Sequence, residues 1–283
     1  MVTSPPSAPR PFWAFWRRRP IVPVIRLAGL IGSLPLRGGA GLTLAGLERA
    51  IDRAFAVRRA PAVALAINSP GGSAVQSALI AGRIRTLADR DRRPVLAFVE
   101  DVAASGGYWL ATAADEILVD PSSILGSIGV ISAGFGFAEA IERLGVERRV
   151  HTAGSRKSFL DPFRPEKAED LALLAELQGD IHARFKEQVR SRRAGRLKAP
   201  EEELFDGRVW TGTRAVEVGL ADGLGELRTT LEARFGPDVQ VRVVNPPRPR
   251  LLSRMGLGAL LADAVAEGLA LLEERALRAR LGL

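Results

Sequence analysis

Short apolar runs alternate along most of the chain with segments whose apolar residues recur at helical spacing. Ile21–Leu27 reads as a first core strand. Leu44, Leu47, Ile51 and Phe55 then recur every three or four residues and predict a helix over Leu42–Val57. Ala62–Ile67 is apolar throughout, the pattern of a strand buried on both faces. It runs into Asn68-Ser69-Pro70-Gly71-Gly72-Ser73, after which a helix is predicted to about Ala88. Pro94–Val99 predicts another buried strand, and Tyr108–Ala114 a helix-like run. Downstream, the pattern predicts a short strand at Ile117–Val119, a helix at Phe135–Leu144 and a strand at Val146–His151, whose arginines favour an exposed place. Glu166–Arg193 reads as one long amphipathic helix, Arg208–Gly225 as a compact stretch and Val239–Val244 as a last strand. Strand, glycine turn, helix and strand in alternation define an α/β fold with a mostly parallel sheet flanked by helices.

The two ends depart from this pattern. Residues 1–20 hold five prolines and predict a poorly ordered basic and aromatic leader. The expected domain covers 21–244, followed by a Pro/Arg linker at 245–254. In 255–283, Leu257, Leu260, Leu261, Ala264, Val265, Gly268 and Leu272 fall at helical spacing, as for an amphipathic helix that serves oligomer contacts or docks on the core.

Composition narrows the chemistry. The 283 residues hold no cysteine, which excludes disulfides, thiolate metal sites and cysteine catalysis. Two histidines, His151 and His182, leave little room for a histidine-rich metal centre. The net charge of +8 comes largely from arginine, and no basic motif interleaved with aromatics points to nucleic acid. No stretch approaches the ~18 consecutive apolar residues of a membrane span. The Phe12–Trp16 aromatic cluster precedes Arg17-Arg18-Arg19, the reverse of a secretory signal. The expected location is therefore cytoplasmic. Trp13, Trp16 and the three arginines also suit the headgroup region of an anionic bilayer, giving peripheral contact with an inner membrane. The same aromatics could instead dock on the protein's own surface.

The candidate chemistry centres on Ala103-Ala104-Ser105-Gly106-Gly107, at a turn from strand to helix. A serine there can present its Oγ to a substrate beside the first free N–H groups of the helix. It can equally be an N-cap that accepts a hydrogen bond from the helix start. A second glycine-rich strand end, Ser69-Pro70-Gly71-Gly72, opens on the same sheet edge, where bare N–H groups could stabilise an oxyanion. The spacing fits neither a dinucleotide nor a P-loop phosphate motif. A nucleophilic serine needs a base. His182 falls inside the long helix and reads as a surface or packing residue; His151 ends the strand-like segment. Lys157, beside Arg156 and Arg164 and one of four lysines in the chain, is the stronger candidate. A lysine can act as base once burial favours its neutral form.

Four motifs, in this order, resemble the signal peptide peptidase A family of bacterial Ser–Lys peptidases, which share the fold of crotonases and Clp-type proteases. They are Asn68-Ser69-Pro70-Gly71-Gly72, Asp101–Tyr108, Gly126-Ser127-Ile128-Gly129-Val130 and Ala153-Gly154-Ser155-Arg156-Lys157, within Val22–Phe235. The resemblance implies Ser105 as nucleophile, Lys157 as general base and Ser127 as the serine that orients the lysine. It implies Gly72, with Gly106, as oxyanion donors, and Ser69, Pro70 and Gly71 on the substrate path. Neither cofactor nor metal is implied. The expected reaction is endopeptidase cleavage, through an acyl-enzyme, of hydrophobic peptides such as remnant signal peptides, or of unfolded proteins. Ile67, Val102, Ile128 and Val130 are the expected apolar walls. Family sites face the inside of a dome-like homo-oligomer and combine residues of neighbouring subunits. Two departures are the missing N-terminal anchor and a single copy of a domain that some members carry twice. An acyl-CoA enzyme of the same fold, or a catalytically idle scaffold, would need no Ser105–Lys157 pair.

Overall fold

The computed structural model describes residues 19–32 and 41–245. The predicted leader, most of the Pro/Arg linker and the C-terminal helix fall outside the described residues. Among the described residues eight strands form one sheet: β1 (Ile21–Ala28), β2 (Val63–Ser69), β3 (Val95–Ala104), β4 (Glu116–Val119), β5 (Ile124–Gly126), β6 (Val209–Thr211), β7 (Gly223–Leu224) and β8 (Gln240–Val243). The order is β6-β5-β3-β2-β1-β8, with β4 paired to β3 and to β7. Every pairing is parallel except β5 with β6.

Val63–Ile67 of β2 and Val95–Val99 of β3 read as unbroken apolar runs because both faces are covered. On one face Ile25, Leu27, Val63, Leu65, Ile67, Val95, Ala97 and Val99 join the larger core. That core is completed by α1 (Leu44–Phe55), α2 (Ala74–Asp91), α3 (Gly106–Ala111) and the end of α5 (Ala168–Arg192). On the other face the alternate residues Val22, Val24, Ala62, Ala64, Ala66, Leu96 and Phe98 pack under α8 (Leu227–Phe235) through Leu231. Caps set the helix starts: Thr43 Oγ1 accepts from Gly46 N–H, and Ser73 Oγ from Gln76 N–H.

Three expectations change. The segment Val146–His151 forms no strand; it is largely exposed and pairs with nothing in the sheet. The helix expected over Phe135–Leu144 shortens to α4 (Ala138–Arg143), which buries no residue. With no buried face to hold them, these stretches cannot take the form that their local pattern favours. β3 runs five residues beyond Val99, through Glu100 and Asp101, and delivers the chain directly to Ser105. It does so by changing partners, pairing β4 from Leu96 to Val99 and β5 from Val102 to Ala104.

Candidate active site

The end of β3 and the start of α3 form a sharp elbow at Ser105. Its backbone has φ 51° and ψ −122°, a conformation that non-glycine residues rarely adopt. The Ser105 side chain makes no capping hydrogen bond, so the N-cap alternative is not realised. Backbone bonds hold the elbow: Ser105 N–H donates to Gly126 carbonyl at 2.8 Å, and Trp109 N–H to Ser105 carbonyl at 3.1 Å. Behind it α3 is buried along its whole length. Burial pushes the Tyr108 phenol pKa upward, and its hydroxyl donates to the Leu220 carbonyl at 2.8 Å. This is the rigid strand–turn–helix context that a nucleophilic serine requires.

The second glycine turn lies against this elbow. A Cβ on Gly71, whose φ is +114°, would come within 2.8 Å of Ser105 Cβ and 2.9 Å of Ala104 carbonyl oxygen. A Cβ on Gly106 would sit 2.5 Å from Ser77 Oγ and 3.4 Å from Gly72 N. At Gly71 only hydrogen fits, whereas a methyl at Gly106 would first have to displace the Ser77 hydroxyl. Ser69, Pro70 and Gly71 are buried, whereas Gly72 is exposed. Ser69 Oγ donates to Gly29 carbonyl at 2.7 Å and accepts from Gly71 N–H at 3.2 Å, so its hydroxyl is occupied in shaping the turn.

Ser127 belongs to the same assembly. It follows Gly126, which holds Ser105, has φ 51°, and donates its own N–H to Arg208 carbonyl at 2.7 Å. Of the surface or packing role expected for His182, packing is the one realised, and it supports this turn. His182, on α5, is half-buried and its Nε2 lies 3.0 Å from Ile128 carbonyl oxygen, so that ring nitrogen is the donor. Its place inside a helix left a surface and a packing role open; what it would meet was not legible.

Lys157 stands apart. It is exposed in the loop after His151, its N–H donates to Gly154 carbonyl, and among the described residues no hydrogen bond joins it to Ser105 or Ser127. The burial expected for a neutral lysine is therefore absent within one chain. Arg164 and Arg148 converge instead on Asp161, whose carboxyl is held below the usual aspartate range: burial opposes this, and the Phe163 N–H with the two guanidinium groups outweighs it. His151 is exposed. The expected apolar walls also change, since Ile67, Val102 and Ile128 are fully buried in the core and only Val130 is partly open. Among the described residues no group of three acidic or histidine side chains is placed to hold a metal ion.

A strained serine elbow is packed against a glycine turn at the rim of a mostly parallel sheet, a geometry compatible with acyl-transfer chemistry at a strand end. The comparisons agree. Residues 88–235 match the family described as peptidase family S49. The chain is 50% identical over 274 residues to a Brucella abortus protein named Na(+)/H(+) antiporter NhaA, covering 93% of this chain and 37% of the relative. It is 31% identical to the chloroplastic serine protease SPPA of Arabidopsis thaliana, covering 88% of this chain and 38% of that one. A putative protease of Synechocystis is 32% identical, with 82% of this chain and 86% of the relative covered. The chain belongs to peptidase family S49, a family of serine-type peptidases of the ClpP-like fold. It spans well under half the length of the Brucella and Arabidopsis relatives. The antiporter name is said of the whole Brucella protein; among the described residues here, no helix is long and apolar enough to cross a membrane.

Proposed function

We propose that this protein is a Ser–Lys endopeptidase acting on extended hydrophobic peptides, such as remnant signal peptides, or on unfolded proteins. The observation that carries the reading is the Ser105 elbow, with its strained backbone and uncapped Oγ. In this mechanism Ser105 Oγ attacks the scissile carbonyl while its proton passes to the neutral amine of Lys157. The oxyanion forms against the N–H groups of Gly72 and Gly106. Collapse expels the amine, which takes the proton from Lys157 and leaves an acyl-enzyme. Water, deprotonated by Lys157, then releases the acid and restores Ser105. Ser127 orients the lysine, and Ser69-Pro70-Gly71 shapes the path of the substrate backbone.

The exposure of Lys157 supports a site completed by a second subunit. The stretch that carries it also exposes large apolar residues, Ile131 at 68%, Phe135 at 82%, Leu144 at 76% and Val146 at 54%, more than a solitary surface accounts for. A homo-oligomer would bury them and bring Lys157 of one protomer to Ser105 of its neighbour.

A serine-directed fluorophosphonate probe tests the reading. Wild type should label and hydrolyse an apolar peptide, while Ser105→Ala and Lys157→Ala each lose nearly all turnover. Mixing the two inactive variants should restore part of the activity. Normal turnover in Lys157→Ala, or acyl-CoA turnover without peptide cleavage, would refute the dyad. Peripheral attachment to an anionic bilayer through Trp13, Trp16 and Arg17–Arg19 is proposed alongside. Deleting residues 1–19 should then abolish binding to anionic liposomes at low salt and spare hydrolysis of a soluble peptide.

A further inference from the structure

Between Gly129 and Arg184 no residue is fully buried, so neither hydrophobic core holds this stretch, which carries Lys157. A polar knot holds part of it instead. The Asp161 side chain is only 3% exposed, although most of its chain neighbours face solvent. Its Oδ2 accepts from Arg148 Nε at 3.1 Å and lies 3.7 Å from Arg164 Nε; its Oδ1 accepts from Phe163 N–H at 3.1 Å. Arg148 also lies 4.7 Å over the Phe163 ring, and Phe163 packs on Phe137 at 5.5 Å between ring centres. Phe137 N–H donates to the Pro162 carbonyl at 2.6 Å and closes the unit.

The Arg148–Asp161 contact clamps the two ends of one loop, residues 149–160. Within that loop Lys157 N–H donates to the Gly154 carbonyl at 3.2 Å, and Phe159 N–H to the Arg156 carbonyl at 3.3 Å. Leu160 N–H donates to Asp170 Oδ2 at 3.2 Å, which fastens the same end to the first turn of α5. Lys157 therefore stands four residues from an enclosed carboxylate, on a loop closed by side chains and not by a core. Enclosing a carboxylate is costly unless its partners are complete. Among the described residues this knot touches no strand and neither core. What it fixes is the loop that presents Lys157.

We propose that Asp161 is the positioning residue of Lys157. It holds the lysine on a loop that is already folded, so that Ser105 of a neighbouring protomer meets a fixed amine. Asp161 acts through the loop and touches no substrate. The inference rests on the reading of Lys157 as the base and adds what keeps that base in place.

Asp161→Asn opens the knot with little else disturbed. The amide oxygen can still accept from Phe163 N–H, and Arg148 and Arg164, 40% and 42% exposed, are free to reach water. The urea midpoint should match wild type, because the knot lies outside both cores. For hydrolysis of an apolar peptide, kcat should fall at least about tenfold with KM unchanged, as expected when a base is displaced by a fraction of an ångström. Arg148→Ala opens the same clamp but leaves Arg164 on Asp161, and should lower kcat by less. Glu147→Gln, which breaks an exposed pair with Arg149, should leave kcat unchanged. Co-assembly assigns the defect. Ser105→Ala, which keeps an intact loop, should raise turnover per Asp161→Asn chain, and Lys157→Ala should not. Wild-type kcat in Asp161→Asn beside an inactive Lys157→Ala would overturn this inference and leave the base reading standing. A raised KM with kcat kept, or a lowered urea midpoint, would also overturn it, as would failure of Ser105→Ala to restore Asp161→Asn while restoring Lys157→Ala. Full turnover in Lys157→Ala would instead remove the base reading, and this inference with it.

Discussion

Gly71→Ala is the sharpest test of the site's construction. The added methyl would meet Ser105 Cβ at 2.8 Å, Ala104 carbonyl oxygen at 2.9 Å and Gly106 N at 3.0 Å. These are backbone or Cβ atoms, so no neighbour can rotate away, and the two turns must separate by roughly half an ångström to regain ordinary contact. The φ of +114° adds strain that glycine alone escapes. Overpacking costs about 1–3 kcal/mol and an unfavourable backbone conformation about 1–3 kcal/mol, together about 2–6 kcal/mol of stability. Because a displacement of about 1 Å at a reacting centre costs on the order of 100-fold, half of that predicts about a tenfold loss of turnover in molecules that still fold. Urea unfolding followed by circular dichroism, paired with hydrolysis of an apolar peptide, measures both effects. Gly82→Ala is the control: it lies inside α2 with nothing within 4 Å of its added Cβ, and should gain about 0.5–1 kcal/mol without changing turnover. If Gly71→Ala unfolded at the wild-type urea concentration with wild-type turnover, the close approach of the two turns would be wrong.

Further outcomes follow from the same geometry. Ser105→Gly should lose activity yet melt higher than Ser105→Ala, because relief of about 1–3 kcal/mol of backbone strain exceeds the ~0.5–1 kcal/mol entropy cost of glycine; equal melting temperatures would refute strain at the elbow. Tyr108→Phe should cost about 1–3 kcal/mol by leaving the buried Leu220 carbonyl without its donor, read from the urea midpoint. Burial alone would raise the Asp222 carboxyl pKa, but Arg193, the Ile117 N–H and Arg196 outweigh it and hold the group below the usual aspartate range. A carboxyl depressed on folding contributes stability above its unfolded pKa of ~3.9 and loses it as pH falls through the folded value. Stability should therefore decline below about pH 4, and Asp222→Asn should flatten that decline while lowering stability at neutral pH; an unchanged acid slope would exclude the linkage.

What the chain determined by itself was its alternation of buried strands and helices, and the turns between them. Strands packed on both faces run apolar, so Val63–Ile67 of β2 and Val95–Val99 of β3, and β1 with Arg26 as its one charged residue, were legible with no knowledge of their neighbours. Glycine pairs after β2 and β3 marked the places where backbones approach, and Ser105 stood out between them. What local pattern cannot carry is partnership. The extension of β3 through Glu100 and Asp101 exists because β5 takes over from β4, an exchange that three residues of β5 are too short to announce. Val146–His151 had the pattern of a strand but has no strand partner among the described residues, so it stayed open. The same contrast runs through the site. Residue type and turn position picked out Ser105, and the family resemblance added Gly72 and Ser127; adjoining strand ends hold the three turns together. Lys157, the expected base, lies on a loop that is exposed among the described residues. The positions of His182 on the Ile128 carbonyl and of Arg26 on Glu100 follow only from packing, because distant segments of the chain supply the two halves of each contact.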